Sequence, residues 1–236
     1  MTLQLAQLTV SHRRSHFTLG PITAEFSPGI TGIVGVNGAG KSTLFNTIVG
    51  TLRPSSGRVM HRDTNIGYLP QNPIFPKNAT VRDVLTFSAW LHKLKDPQER
   101  ITDLITRLGL EEHATKRTSQ LSGGMQRRLG IAQALVHDPA ILLLDEPTAG
   151  LDPVQRIAVR TTIEEELGNK TVLLSTHLVE DIRHLASQLL VLDQGQVVFN
   201  GSVDELESTA RDTHLGATPL EVALNQLYTG SGKVAP

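Results

Sequence analysis

The chain has 236 residues, 39% hydrophobic and 19% charged, with a formal net charge of −1 and no cysteine. That length supports one large domain or a domain with a small lobe, and the ordinary composition excludes disordered and fibrous classes. Near-neutral charge without a long Lys/Arg run argues against a nucleic-acid groove, so no nucleic-acid partner is expected, and the lack of cysteine excludes disulfides, thiolate zinc sites and a cysteine nucleophile.

The first residues, MTLQLAQLTVSHRR, lack the basic start and solid apolar stretch of a secretory signal. The longest apolar runs, 140–144 and 189–192, fall far short of the roughly 18 residues that a membrane span needs. The chain is therefore expected not to cross a bilayer by itself, and lack of cysteine fits a reducing cytosol.

In chain order, Leu3, Leu5, Leu8 and Val10, then Ile22, Ala24 and Phe26, are spaced as half-buried antiparallel strands. The apolar run 30–34 reads as a buried strand feeding a glycine-rich turn at Gly35, and 42–49 as the helix after it, stopped by Gly50. Residues 54–57 read as a turn and Ile66–Leu69 as a short strand. From Thr80 to about His137 the period is helical. Thr80 with Asp83 forms a capping pair, and Val84, Leu85, Phe87, Leu91 and Leu94 follow at helical spacing. About three helices fit there, broken at Asp96-Pro97 and at Gly109.

After Asp138-Pro139 strands and helices alternate again. Residues 140–144 are a strand, and Asp152 caps a helix with Pro153 at its first position. Thr171–Ser175, 189–193 and 196–199 are further strands; Ser202 with Glu205 opens a short helix, and 230–236 reads as a frayed tail. The pattern predicts an α/β fold with a mainly parallel, covered sheet, an N-terminal antiparallel β portion and an all-helical insertion. The expected division is 1–79 with 139–208 as core and β subdomain, 80–138 as helical subdomain, and 209–236 as C-terminal helix and tail.

Three motifs carry chemistry. The segment Gly35, Val36, Asn37, Gly38, Ala39, Gly40, Lys41, Ser42, Thr43 satisfies Gly-x4-Gly-Lys-[Ser/Thr] between a predicted strand and a predicted helix. Glycines let backbone N–H groups turn toward phosphate oxygens, and the helix start adds its positive end. Lys41 would neutralise the β- and γ-phosphates and Ser42 would ligate Mg²⁺. The apolar run before Asp145 and Glu146 delivers both carboxylates to the C-terminal sheet edge, where ligands gather in open α/β folds. There Asp145 would hold Mg²⁺ and Glu146 would polarise the attacking water. Ser122, Gly123 and Gly124 open a second helix whose free N–H groups form another anion site. One chain thus carries two phosphate-grasping helix starts and one ATP site, so the second grasp is expected to reach a nucleotide held by a second copy.

Over essentially its whole length the chain resembles the ABC transporter ATP-binding subunit family. GVNGAGKST looks like its Walker A, LSGGMQ (with Gln126) its signature, ILLLDEP its Walker B and AGLD, ending at Asp152, its D-loop. The resemblance implies that Gln71 is the Q-loop glutamine touching Mg²⁺ and the attacking water, and that His177 is the switch histidine on the γ-phosphate. It implies a P-loop cassette using ATP and Mg²⁺, a head-to-tail dimer with a second copy or homologous cassette, and a separate polytopic membrane permease at the inner face of the cell membrane. Met125 stands where many members carry Gln. The adenine-stacking position falls on His12, with Phe17 too far along to replace it; His12 and His16 do not read as a metal pair. LSGGMQRR, LVEDI and PLEVALNQLYTG look most like drug- and antibiotic-exporting branches. An importer subunit, a soluble ABC ATPase of the iron–sulfur assembly type and a regulatory module without turnover are the alternatives.

Overall fold

The computed structural model describes residues 2–11, 17–61, 65–211 and 216–230. His12, His16 and residues 231–236 lie outside the described residues. The described strands are β1 (Leu3–Ser11), β2 (Thr18–Phe26), β3 (Gly29–Val34), β4 (Ser56–His61), β5 (Ile66–Leu69), β6 (Ile141–Asp145), β7 (Thr171–Ser175), β8 (Gln188–Asp193) and β9 (Gln196–Ser202). One sheet is antiparallel, in the order β2-β1-β4; the other runs β5-β6-β7-β3-β8-β9, parallel except for β9 at its edge.

The larger sheet explains its own apolar runs, because it is covered on both faces. Leu142, Leu144, Val172 and Leu174 point into one core, shared with the helical insertion through Val84, Leu85, Leu104 and Leu129. Their strand neighbours Ile141, Leu143 and Leu173, with Leu190 and Leu192, point the other way, against β1, β2 and Phe45. Alternate residues of one strand thus serve two cores, which leaves no polar face for a period-two pattern.

Among the described residues the α-helices are α1 (Lys41–Ile48), α2 (Val81–Leu91), α3 (Gln98–Arg107), α4 (Gly123–Leu135), α5 (Pro153–Leu167), α6 (Val179–Leu185), α7 (Val203–Glu207) and α8 (Pro219–Gly230). Thr80 and Asp83 close a reciprocal capping box on α2. Asp152 accepts from the Gln155 N–H at 2.9 Å to cap α5, and Ser202 does the same for α7 from Glu205 at 3.1 Å. Arg100 and Arg107 on α3 both grip the buried Glu166 of α5, at 2.6 and 2.5 Å, tying the insertion to the core. Leu220, Ala223 and Leu224 pack α8 against Leu189 and Val191.

The structure corrects several expectations. The step from Leu5 to Leu8 is odd and would turn Leu8 outward; a register shift there, with Gln7 at φ 49°, returns Leu8 to full burial. The expected turn at 54–57 already contains the start of β4. Gly57 is not a turn glycine but the partner of that bulge, since a Cβ on it would sit 2.1 Å from the Gln7 carbonyl. Gly230, expected in a frayed tail, closes α8. Helix α6 carried no sequence-level expectation. Val84 and Leu85 are buried as expected, but Phe87 and Leu91 are more than half exposed and join Trp90 on an outer apolar face, where Phe87 and Trp90 stack at 5.8 Å.

His137, just past α4, is buried against the parallel ring of His92 at 3.7 Å. Burial, with the neighbouring His92 charge, lowers its pKa from 6.5 to about 4. The unfolded chain therefore takes up this proton first as pH falls, so stability declines between about pH 6.5 and 4, by roughly 3 kcal/mol in total. His137→Leu is expected to flatten the melting temperature over that window, measured by thermal unfolding at stepped pH.

Candidate functional site

The site lies where β3 and β6 end. Residues 35–40 turn sharply out of β3 and into α1, and two glycines show why. A Cβ on Gly35 would lie 2.5 Å from the Leu192 carbonyl, and Gly40 has φ 110° with the Leu19 and Phe17 side chains within 3.0 Å of an added Cβ. Lys41 lies over this loop, its Nζ donating to the carbonyls of Gly35 at 2.6 Å and Val36 at 3.3 Å. Burial pulls the Lys41 pKa below its usual range, opposed by the charges of Glu146 and Asp145.

Strand β6 brings the carboxylates. Asp145 is buried and accepts from Ser42 Oγ at 2.7 Å on one oxygen and from Ser175 Oγ on the other. Glu146 adopts φ 56°, its N–H donating at 3.1 Å to both the carbonyl and Oγ of Ser175. Its Oε2 lies 2.7 Å from His177 Nδ1. The left-handed turn is unusual for Glu, and its side chain lies in the cleft beside His177. Asn37, Gly38, Gly40, Lys41, Ser42, Thr43, Gln71, Asp145, Glu146 and Phe17 line one cleft of about 450 Å³. Val36, with Asn37, Gln71, Glu146 and His177, lines an adjoining space, and Ala39 is buried behind the loop.

The signature residues stand elsewhere. Ser122 caps α4, accepting from Met125 N–H at 3.3 Å, and Ser122 and Gly123 are exposed; neither they nor Gly124 line the cleft. Gln126 turns back into the insertion and donates to the carbonyls of Thr118 and Leu121, both at 3.4 Å. Asp152 is exposed at the head of α5. His12 falls outside the described residues. Phe17, set aside from sequence as too distant, does line the cleft: its position along the chain says nothing of β2 folding back over Gly40.

Sequence reasoning also missed Ser175, Arg127 and Asp181. Ser175 carried no sequence signal: it is the parallel register of β6 with β7 that sets it opposite Asp145. The fully buried Asp181 accepts from Thr148 and from Arg160, with Thr176 at 3.5 Å. It thereby links the loop after Glu146 to the residue before His177. Asp181→Ala leaves the partly exposed Arg160 without its main partner and is expected to cost about 2–3 kcal/mol, read as a lowered denaturation midpoint.

Hydroxyl, carboxylate and amide oxygens are the hard donors that suit Mg²⁺, and the narrow glycine cradle suits phosphate. Among the described residues no group of three His, Cys, Asp or Glu could hold a metal. Any Mg²⁺ here would draw on phosphate and water oxygens.

Phosphate bound to a helix start at the C-terminal edge of a parallel sheet is the province of P-loop nucleotide-binding proteins, and that is the class this fold and cleft define. Within it, the chain belongs to the ABC transporter family, whose profile matches residues 19–149. It is 38% identical over 183 residues to YxlF, an uncharacterized ABC transporter ATP-binding protein of Bacillus subtilis, covering 74% of this chain and 62% of that one. The match to the Nod factor export ATP-binding protein I of Cupriavidus metallidurans is 32% over 228 residues, covering 90% of this chain and 74% of the relative. Among solved structures, CbiO1 of Clostridium perfringens, part of the CbiONQ transporter complex, aligns with TM-score 0.72 and 31% identity over 88% of this chain and 90% of its own. A dimeric ATP-binding cassette bound to ADP and Pi shares the fold, with TM-score 0.76 at 23% identity, covering 85% of this chain and 98% of that one. The chain spans 62% and 59% of the length of the first two curated relatives. Among the described residues no helix is long and apolar enough to cross a membrane.

Proposed function

We propose that this chain is an ATPase that drives export through a separate membrane permease, working as a head-to-tail pair of cassettes that closes around two ATP molecules. The observation that carries the reading is the separation of two anion-grasping helix starts, Lys41 at the cleft and Ser122 exposed on α4 away from it. Neither encloses a triphosphate alone. Each would do so with the other's counterpart, Ser122, Gly123, Gly124 and Asp152 of one copy meeting residues 35–43 of the next.

In this reading the N–H groups of residues 36–43 and Lys41 hold the phosphates. Ser42, Asp145 and Gln71 would hold Mg²⁺, which supplies charge neutralisation at the phosphates when bound. Glu146 orients the attacking water and accepts its proton. With Nδ1 donating to Glu146, His177 keeps Nε2 for the γ-phosphate, and Ser175 keeps Asp145 in place. ATP favours the closed pair and its hydrolysis the open one, the differential affinity a switch requires. His12 and Phe17 would meet the nucleoside end of ATP.

We divide the chain functionally at 1–79 with 139–208, 80–138 and 209–236, the middle segment being the part that moves with Ser122. The export direction is supported by the export relative that aligns over nine-tenths of the chain. A site on the cytoplasmic face follows from the permease partner. The outer face of α2 with Phe87, Trp90 and Leu91, all more than half exposed, supports that partner. Phe87→Asp with Trp90→Asp is expected to leave ATP binding intact and abolish co-purification with a polytopic membrane protein. Retained co-purification moves the permease contact off this face, and none in the unaltered chain sinks the transporter assignment.

A further inference from the structure

The arginine one turn past the signature glycines has no part in the roles above, yet it touches two of the site's segments. Arg127 leaves α4 half-buried. Its Nη1 donates to the carbonyl of Glu146 and lies 3.4 Å from that of Asp145, while Nη2 donates to the carbonyl of Gln71 at 2.8 Å. One guanidinium thus joins the signature helix, the end of β6 and the loop after β5. Burial works against its charge, and the carboxylates of Glu146 and Asp145 offset that.

The contact with Glu146 matters because of that residue's backbone. A left-handed Glu persists only where its surroundings hold it. Its N–H is anchored on β7 through Ser175, and its carbonyl is anchored by Arg127. The residue that carries the carboxylate is thus held through the peptide on each side of its Cα, one grip from the core and one from the helical insertion.

We propose that Arg127 is a positioning residue for hydrolysis: acting through Glu146, it holds the turn that aims the carboxylate, and it passes displacements of α4 to that carboxylate and to Gln71. This rests on the hydrolytic reading given above, with Glu146 as the base. A planar fork with several donors serves carbonyls in two segments at once, whereas a lysine ammonium on a single flexible stem serves them less well.

The test uses the full 236-residue chain, with unaltered protein, Arg127→Met, Arg127→Lys and Glu146→Gln assayed side by side. Phosphate release is followed across ATP concentrations and nucleotide affinity is measured at equilibrium. Misaim of the base without loss of the cradle predicts that Arg127→Met lowers kcat about tenfold to a hundredfold, with KM and affinity within about twofold of the unaltered values. Arg127→Lys recovers part of kcat. A merely structural role would not separate kcat from KM in this way. Should Arg127→Met fail to fold, an intermediate kcat at unchanged KM for Arg127→Lys carries the proposal, and an unaltered kcat overturns it. Arg127→Met turning over normally while Glu146→Gln is inactive overturns the role of Arg127 alone. Normal turnover by Glu146→Gln overturns both.

Discussion

Glu146→Gln is expected to bind ATP as tightly as the unaltered chain, to lose about a hundredfold to ten-thousandfold in phosphate release, and to accumulate as a dimer in Mg²⁺ and ATP. The residues that would hold the phosphates, 36–43, do not depend on the Glu146 side chain, so affinity survives. The amide is nearly the same size and still accepts from His177 Nδ1, so the 2.7 Å contact and the left-handed turn are retained. What disappears is the basic oxygen that takes the proton from water. Because hydrolysis is the step that reopens the pair, blocking it traps the closed state. Phosphate release and size-exclusion chromatography with light scattering check both halves; ordinary phosphate release removes Glu146 from its role.

Ser122→Arg is expected to leave nucleotide binding by the single chain unchanged and to reduce hydrolysis to background. Ser122 is exposed and outside the cleft, so a long side chain there disturbs no packed neighbour. Loss of the cap on the Met125 N–H costs about 1 kcal/mol, too little to unfold the domain. In the closed pair, however, a bulky cation would occupy the place of a γ-phosphate contact and sit at the positive end of a helix. A mixing experiment sharpens the expectation. Lys41→Ala and Ser122→Arg are each inactive alone, but their mixed dimer contains one site with Lys41 and Ser122 both intact. Hydrolysis should reappear on mixing. Full activity of Ser122→Arg, or no recovery on mixing, would show that the two grasps belong to different events.

Much of the fold is legible in the sequence. The turns that carry Lys41, Ser42 and Ser122 and the strand end at Asp145 stand out as candidates because a local backbone shape is written in consecutive residues. The caps at Thr80, Asp152 and Ser202 are local for the same reason. The strands Ile66–Leu69 and Thr171–Ser175 were readable as short apolar runs bounded by turn residues. By contrast, β4 carried no apolar alternation strong enough to outweigh its Ser-Gly start, and Phe87 and Leu91 followed helical spacing without revealing that α2 has two apolar faces.

The sequence by itself determined the elements whose chemistry is local: a glycine loop, a strand-end acidic pair and a serine-capped helix, in that fold class. Only the tertiary structure decided which distant residues meet there. Ser175 reaches Asp145 because two parallel strands are in register, Phe17 reaches the cleft because β2 folds back over Gly40, and Arg127 reaches Glu146 because α4 packs beside the end of β6. These contacts arise from how two-faced strands and helices bury their apolar sides. That is a property of the whole packed chain, and no short window of residues contains it.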